Sequence, residues 1–132
     1  MPELLHAADL LEDEGAAVTV IDVTSADRMF KEWHSATRRA SAGAVLPAGS
    51  WHLASLLHEV ERHSPILTVH DASPHALAWL GSVYGSPLTA IGVDEFGESG
   101  TIPELYDRFG LLPEQIANTG LMALHQYSTY HR

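Results

Sequence analysis

The sequence predicts an α/β domain in which helices cover both faces of a mostly parallel sheet. Three short apolar runs rich in β-branched residues suit buried parallel strands. They are AVTVIDV (17–23), the ILTV part of PILTVHDAS (65–73) and PLTAIGV (87–93). Segments with helical spacing of apolar residues separate these runs, and that alternation is typical of parallel sheets with helices on both sides.

The helical segments carry recognisable start and stop signals. Leu4, Ala8 and Leu11 recur at helical spacing, and Gly15 is placed to end that first helix. The segment TSADRMFKEWHSATRR follows, with Ser25 or Thr24 as its N-cap.

Further helices are predicted in WHLASLLHEVER (51–62), PHALAWLGSVYG (74–85), TIPELYDRFG (101–110) and LPEQIANTGLMAL (112–124). Pro74 is placed in the first turn of the second of these, where a proline costs no hydrogen bond. Residues 39–50 have the weakest pattern and are expected to form a loop. The tryptophans, which fall on apolar helix faces, are expected in the core or at an interface: Trp33, Trp51 and Trp79.

The composition of the chain disfavours several classes of function. The 132 residues suit one domain spanning 1–132, and 45% of them are hydrophobic, so disorder is not expected. Seventeen acidic residues against seven basic ones give a net charge of −10, which disfavours nucleic acid and anionic membranes. No cysteine is present, so thiol catalysis and thiolate metal sites are excluded. No signal-peptide pattern or membrane-length apolar run occurs, and a cytoplasmic protein is expected.

The segment VDEFGESGTIPEL (93–105) has the layout of a phosphate-binding loop, with a strand, a glycine-rich turn and a helix. Such loops attract the anion with backbone N–H groups and a helix N-terminus. Here Asp94, Glu95 and Glu98 would repel it, and the Lys-Ser/Thr pair of a Walker loop is missing. The sequence therefore disfavours a phosphate site.

The same segment is better explained as a structural turn. Its turn residues are Phe96, Gly97, Ser99 and Gly100. The spacing around Ser99 does not match a nucleophile elbow. The glycines permit a tight turn, and Ser99 or Thr101 is predicted to cap the next helix.

Two histidines in HEVERH, His58 and His63, come within one residue of a zinc-protease pattern. Histidines five positions apart are about 140° from sharing a helix face, so one regular helix cannot direct both at one ion. Two solvated histidines are expected here.

The segment HDASPH is the strongest candidate for local chemistry, because it follows a predicted strand at the sheet edge where ligands usually bind. Asp71, Ser73 and His75 are the candidate catalytic residues. Ser73 is equally well placed to cap the helix that Pro74 opens. Capping is the favoured interpretation, with a contribution to a site shared with another subunit as the alternative.

Three stretches together resemble the C-terminal domain of transketolase-like thiamine-diphosphate enzymes. They are LLEDEGAAVTVIDVTSADRMFKEW, PILTVHDASPHALAWLGSVYG and IGVDEFGESGTIPELYDRFGLLPEQIANTGL. The likeness is greatest to the single-chain pyruvate dehydrogenase decarboxylating component and its bacterial relatives, and residues 39–50 lie outside it. Where those relatives often have DGHPH, residues 71–75 read DASPH.

The resemblance implies a three-layer α/β/α fold with a sheet of about five strands. It also implies a non-catalytic assembly or dimerisation domain, or a subunit of a split enzyme acting on 2-oxo acids or ketoses. Thiamine diphosphate and its divalent metal would then be held by a partner chain with the pyrophosphate- and pyrimidine-binding domains, not by this chain alone. Two alternatives stay open: a small autonomous hydrolase or lyase using Asp71, Ser73 and His75, and a free-standing protein-interaction module.

Overall fold

A computed structural model describes residues 1–45, 51–93 and 100–130. In chain order the elements are α1 (Pro2–Asp13), α2 (Ala26–Ser41), α3 (His52–Leu56), a 3₁₀-helix (Glu59–Glu61), β1 (Ile66–Val69), a second 3₁₀-helix (Pro74–Ser82), β2 (Leu88–Ile91), α4 (Ile102–Phe109) and α5 (Pro113–Tyr130). Among the described residues, no helix is both long and apolar enough to cross a membrane.

The sheet in the described part of the chain consists of β1 and β2, which pair in parallel. Ile66 lies opposite Leu88, and Val69 lies opposite Ile91. The chain returns from β1 to β2 through the 3₁₀-helix Pro74–Ser82. This β–helix–β unit is the arrangement that the alternating sequence pattern predicts, since parallel strands need a crossover connection.

Helices pack on both faces of this sheet. One face carries a cluster built by α1 and α5, whose buried members are Ala7, Leu11, Ile116 and Ala117. Leu67, Val69 and Ile91 pack against that cluster, whereas Ile66 and Leu88 pack against a second one. The second cluster has Leu53, Leu77 and Leu80 as its buried members. Because alternate strand residues face opposite clusters, the α/β layering predicted from sequence is confirmed.

The predicted strand at 17–23 is not present, and the described residues contain two strands, which does not bear out the expected five. No backbone hydrogen bond joins residues 17–23 to another described backbone group. Instead, the Thr19 hydroxyl donates a hydrogen bond to the Glu61 carboxylate. β-Branched composition favours an extended chain, but a strand also needs a partner ladder, which composition cannot supply.

The predicted helix at 51–62 is divided in two. After α3 the backbone is extended at Leu57 and His58, and a 3₁₀-turn then begins. The His58 amide donates to the Glu61 carboxylate at 3.1 Å, a local cap that starts the new turn.

Aromatic side chains join α2 to the 3₁₀-helix Pro74–Ser82. Trp33 stacks on Trp79 with ring centroids 5.3 Å apart, and Phe30 meets Trp79 edge-on at 5.4 Å. Trp51 packs, half-buried, against the second cluster. The tryptophans therefore contribute to packing, in line with the prediction.

Candidate functional site

The carboxyl ends of β1 and β2 bring two loops together. The His70 amide donates to the Ile91 carbonyl at 3.0 Å, and the Val93 amide donates to the Ala72 carbonyl at 2.8 Å. These bonds continue the pairing past the last residues of both strands. The segment 70–73 is thereby held beside residues 92–93, at the sheet edge that the sequence indicated.

Gly92 allows this close approach. A Cβ at this position would lie 2.6 Å from the Ala72 carbonyl oxygen and 2.8 Å from the Pro74 nitrogen. Both are backbone atoms, so no side-chain rotation could relieve the contact. The absence of a side chain at Gly92 thus sets the position of the loop that carries the candidate residues.

Ser73 is the N-cap of the 3₁₀-helix that Pro74 opens. Its hydroxyl oxygen accepts a hydrogen bond from the His75 amide at 3.3 Å. The predicted capping by Ser73 is therefore confirmed, because the bond satisfies one of the amides left unpaired at a helix start.

The three candidate catalytic residues are close in sequence but are not joined by their side chains. Asp71 and His75 are exposed, and Ser73 is half-buried. Among the described residues, no hydrogen bond joins the side chain of one of these three residues to the side chain of another, and the Ser73 hydroxyl is bonded to the backbone amide of His75. A catalytic role for these residues stays a prediction. Such a role requires a general base within hydrogen-bond reach of the nucleophile.

His70 lies directly after β1 and is half-buried. Its Nδ1 is buried and has no hydrogen-bond partner in the described part of the chain.

A cavity of about 320 Å³ lies beside the end of β2. Residues 90–92 line one side of it, with Pro74 next to them, and Arg108 and Thr119 approach from α4 and α5. None of Asp71, Ser73 and His75 lines it. Sequence reasoning missed Arg108 and Thr119 because they reach the sheet edge only through packing of helices distant in the chain.

Most of the predicted structural turn lies outside the described residues. That holds for Phe96, Gly97 and Ser99 and for the carboxylates Asp94, Glu95 and Glu98. Gly100 is described and exposed, and it precedes Thr101, the N-cap of α4.

At the start of α4, the Thr101 hydroxyl accepts from the Glu104 amide at 3.4 Å, and the Glu104 carboxylate accepts from the Thr101 amide at 3.0 Å. This reciprocal pair is a capping box. The prediction of Thr101 as a cap is confirmed.

His58 and His63 lie in different local structures. His58 precedes the 3₁₀-turn Glu59–Glu61, whereas His63 Nδ1 lies 3.0 Å from the Tyr84 carbonyl oxygen and donates to it. Across residues 1–45, 51–93 and 100–130, no group of three His, Asp or Glu side chains is arranged to hold a metal ion.

The clearest electrostatic effect lies away from the sheet edge, at Glu61. The hydrogen bond from the Thr19 hydroxyl lowers the pKa of the Glu61 carboxyl, and the bond from the His58 amide lowers it further. Both bonds favour the ionised form. Since Thr19 lies in the segment 17–23, the carboxylate ties that segment to the 3₁₀-turn.

Comparison with known proteins gives one match. The sequence model of the transketolase-like TK C-terminal domain matches residues 1–112 of the 132. No curated protein and no solved structure matches the chain. The matched range ends before α5, although α5 supplies half of the buried residues in the first core cluster.

Proposed function

This chain belongs to the transketolase-like C-terminal domain family, and we propose that it is the non-catalytic assembly domain of a thiamine-diphosphate enzyme that acts on 2-oxo acids or ketoses. The pyruvate dehydrogenase-type decarboxylating enzymes are the relatives we favour. Its partner is a chain carrying the pyrophosphate- and pyrimidine-binding domains. Thiamine diphosphate and its divalent metal are bound by that partner, and the assembled enzyme is a homodimer of the complete set of domains.

The observation that carries this proposal is the family match over 112 residues. Two features of the sheet edge support it. Ser73 is engaged in capping, and Asp71 and His75 are exposed and not bonded to it through their side chains. A nucleophile that is activated by an adjacent base would need the opposite arrangement.

A binding experiment tests the proposal. The purified chain is mixed with a chain that carries the two other domains, and the mass of the product is measured by light scattering. We expect a stable complex containing both chains, and thiamine diphosphate that binds to the complex and to the partner but not to this chain alone. Two non-interacting species, or thiamine diphosphate bound by this chain alone, would contradict the proposal.

A further inference from the structure

The Arg62 guanidinium, between the 3₁₀-turn Glu59–Glu61 and β1, is held from two directions. Its Nη2 donates a hydrogen bond to the Ala54 carbonyl at 3.3 Å, and its Cζ lies 5.3 Å from the centroid of the Tyr84 ring. An aromatic face attracts the cation but leaves the N–H groups at the rim of the guanidinium plane free for acceptors.

The backbone around this side chain is fixed as well. The Ser86 hydroxyl donates to the Arg62 carbonyl at 2.7 Å, and Ser86 is buried. His63 Nδ1 donates to the Tyr84 carbonyl at 3.0 Å. These bonds tie the residues before β1 to the residues before β2, so the guanidinium and the ring beside it are held in place relative to each other. A ligand that binds a side chain fixed in this way has little ordering left to impose.

The positive charge of Arg62 is not balanced within the described part of the chain. Nε is buried and has no hydrogen-bond partner there, and no ion pair of the described residues includes Arg62. The neighbouring Glu61 carboxylate accepts from the Thr19 hydroxyl and the His58 amide instead. Because the buried unpaired atoms of the described residues include Nε but not Nη1, Nη1 reaches solvent.

We infer that Arg62 is a binding site for a carboxylate. Nη1 has two N–H groups and Nη2 has one besides the bond to Ala54, and adjacent N–H groups of an arginine match the two oxygens of a carboxylate. A monoanion is favoured over a phosphate dianion, because the net charge of −10 repels the higher charge more strongly. The carboxylate belongs to a small molecule or to an acidic side chain of a partner. The site goes beyond the proposed function and does not depend on it.

Acetate is the probe, and the NMR signal of the Arg62 Nε–H group in the isolated chain is the readout. The signal is identified by its loss in Arg62→Lys, and acetate replaces chloride at constant ionic strength so that screening does not change. Half-saturation should occur at an acetate concentration about tenfold lower than for the exposed arginines Arg28, Arg38 and Arg39. No response at Arg62, the same response at every one of these arginines, or tighter binding of phosphate than of acetate would overturn the inference.

Two substitutions at Tyr84 test whether the aromatic ring prepares the site. Tyr84→Phe keeps the ring and should leave the acetate affinity unchanged. Tyr84→Leu removes the ring and should weaken acetate binding by about threefold. Equal affinities in the folded variants would show that the ring does not position the guanidinium, which overturns the prepared site.

The complex with the partner of the proposed function distinguishes the two sources of the carboxylate. If an acidic side chain of the partner occupies the site, Arg62→Gln should weaken the complex by about tenfold. Arg38→Gln, at an exposed arginine of α2, should not weaken it. If a small carboxylate is the ligand, both variants should bind the partner equally well. The acetate titration decides the inference even where no complex forms, in which case only the proposed function fails.

Discussion

The carbonyl oxygen of Ala72 lies 2.6 Å from the point where a Cβ on Gly92 would be. This contact between two backbones sets how closely the loop after β1 approaches the end of β2. We expect Gly92→Ala to destabilise the fold by about 1–3 kcal/mol, because the loop must move to admit the methyl group. Urea denaturation at neutral pH measures the effect.

Gly120→Ala is the matched control. A Cβ on Gly120 would meet the Leu11 methyl groups at 3.1 and 3.2 Å, which are ends of a flexible side chain. Alanine also favours the interior of α5 by about 1 kcal/mol over glycine. The two effects oppose each other, so the net change should lie within about 1 kcal/mol of zero. If Gly92→Ala is as stable as Gly120→Ala, the close contact between Gly92 and the Ala72 carbonyl does not limit the fold.

Helix α5 should be part of the folding unit, although it lies beyond the family match. Ile116 is 1% exposed and packs with Ala7 and Leu11 of α1. Ile116→Ala should therefore cost about 2–5 kcal/mol. Ile102→Ala, at a residue 69% exposed, should change stability by less than about 0.5 kcal/mol. Similar denaturation midpoints for both variants would show that α5 is dispensable.

The bond between Thr19 and Glu61 should make stability depend on pH. The pKa of Glu61 is lowered in the folded chain, so the bond stabilises the fold while the carboxylate is ionised. That contribution is complete above the ordinary value of 4.5 and is lost as the pH falls through the lowered pKa. Thr19→Val should thus lower the denaturation midpoint at neutral pH, and the difference from the parent chain should shrink in acid.

Thr37→Val is the control for the pH dependence of Thr19→Val. The Thr37 hydroxyl donates to the Trp33 carbonyl at 3.0 Å, and a carbonyl does not titrate. Its effect on the denaturation midpoint should be the same at neutral and acid pH. If the effect of Thr19→Val is equally constant, Glu61 is not its partner in solution.

The capping box of α4 should be measurable by replacing its threonine. Thr101→Ala removes the acceptor of the Glu104 amide and should cost about 0.5–2 kcal/mol. Ser25 is also an N-cap, but its side chain makes no capping hydrogen bond. Ser25→Ala should consequently cost less than Thr101→Ala in the same denaturation experiment, and a larger cost would contradict the assigned caps.

Features with local causes could be predicted from the sequence. Ser73 and Thr101 cap helices through bonds to amides two and three residues away, and Pro74 starts a helix because its own ring fixes φ. The two parallel strands could also be predicted, since both are β-branched runs on either side of a helical segment.

Features that depend on distant partners could not be predicted. The run 17–23 has strand composition, but whether it pairs depends on a neighbour that composition does not name. The lining of the cavity by Arg108 and Thr119 depends on how α4 and α5 pack. The division of the helix predicted at 51–62 is an exception, because its cause is local: the Glu61 carboxylate accepts a hydrogen bond from the His58 amide, which the helical spacing of the apolar residues does not reveal.

Turnover of a 2-oxo acid tests the central claim most directly. The partner chain is assayed with thiamine diphosphate and Mg²⁺ in three forms: alone, with this chain, and with a variant carrying Asp71→Asn, Ser73→Ala and His75→Ala. We predict turnover only when this chain or its variant is present, at similar rates, because the chain assembles the enzyme and performs no chemistry. Full activity of the partner alone, or loss of activity with the well-folded variant, would contradict the account.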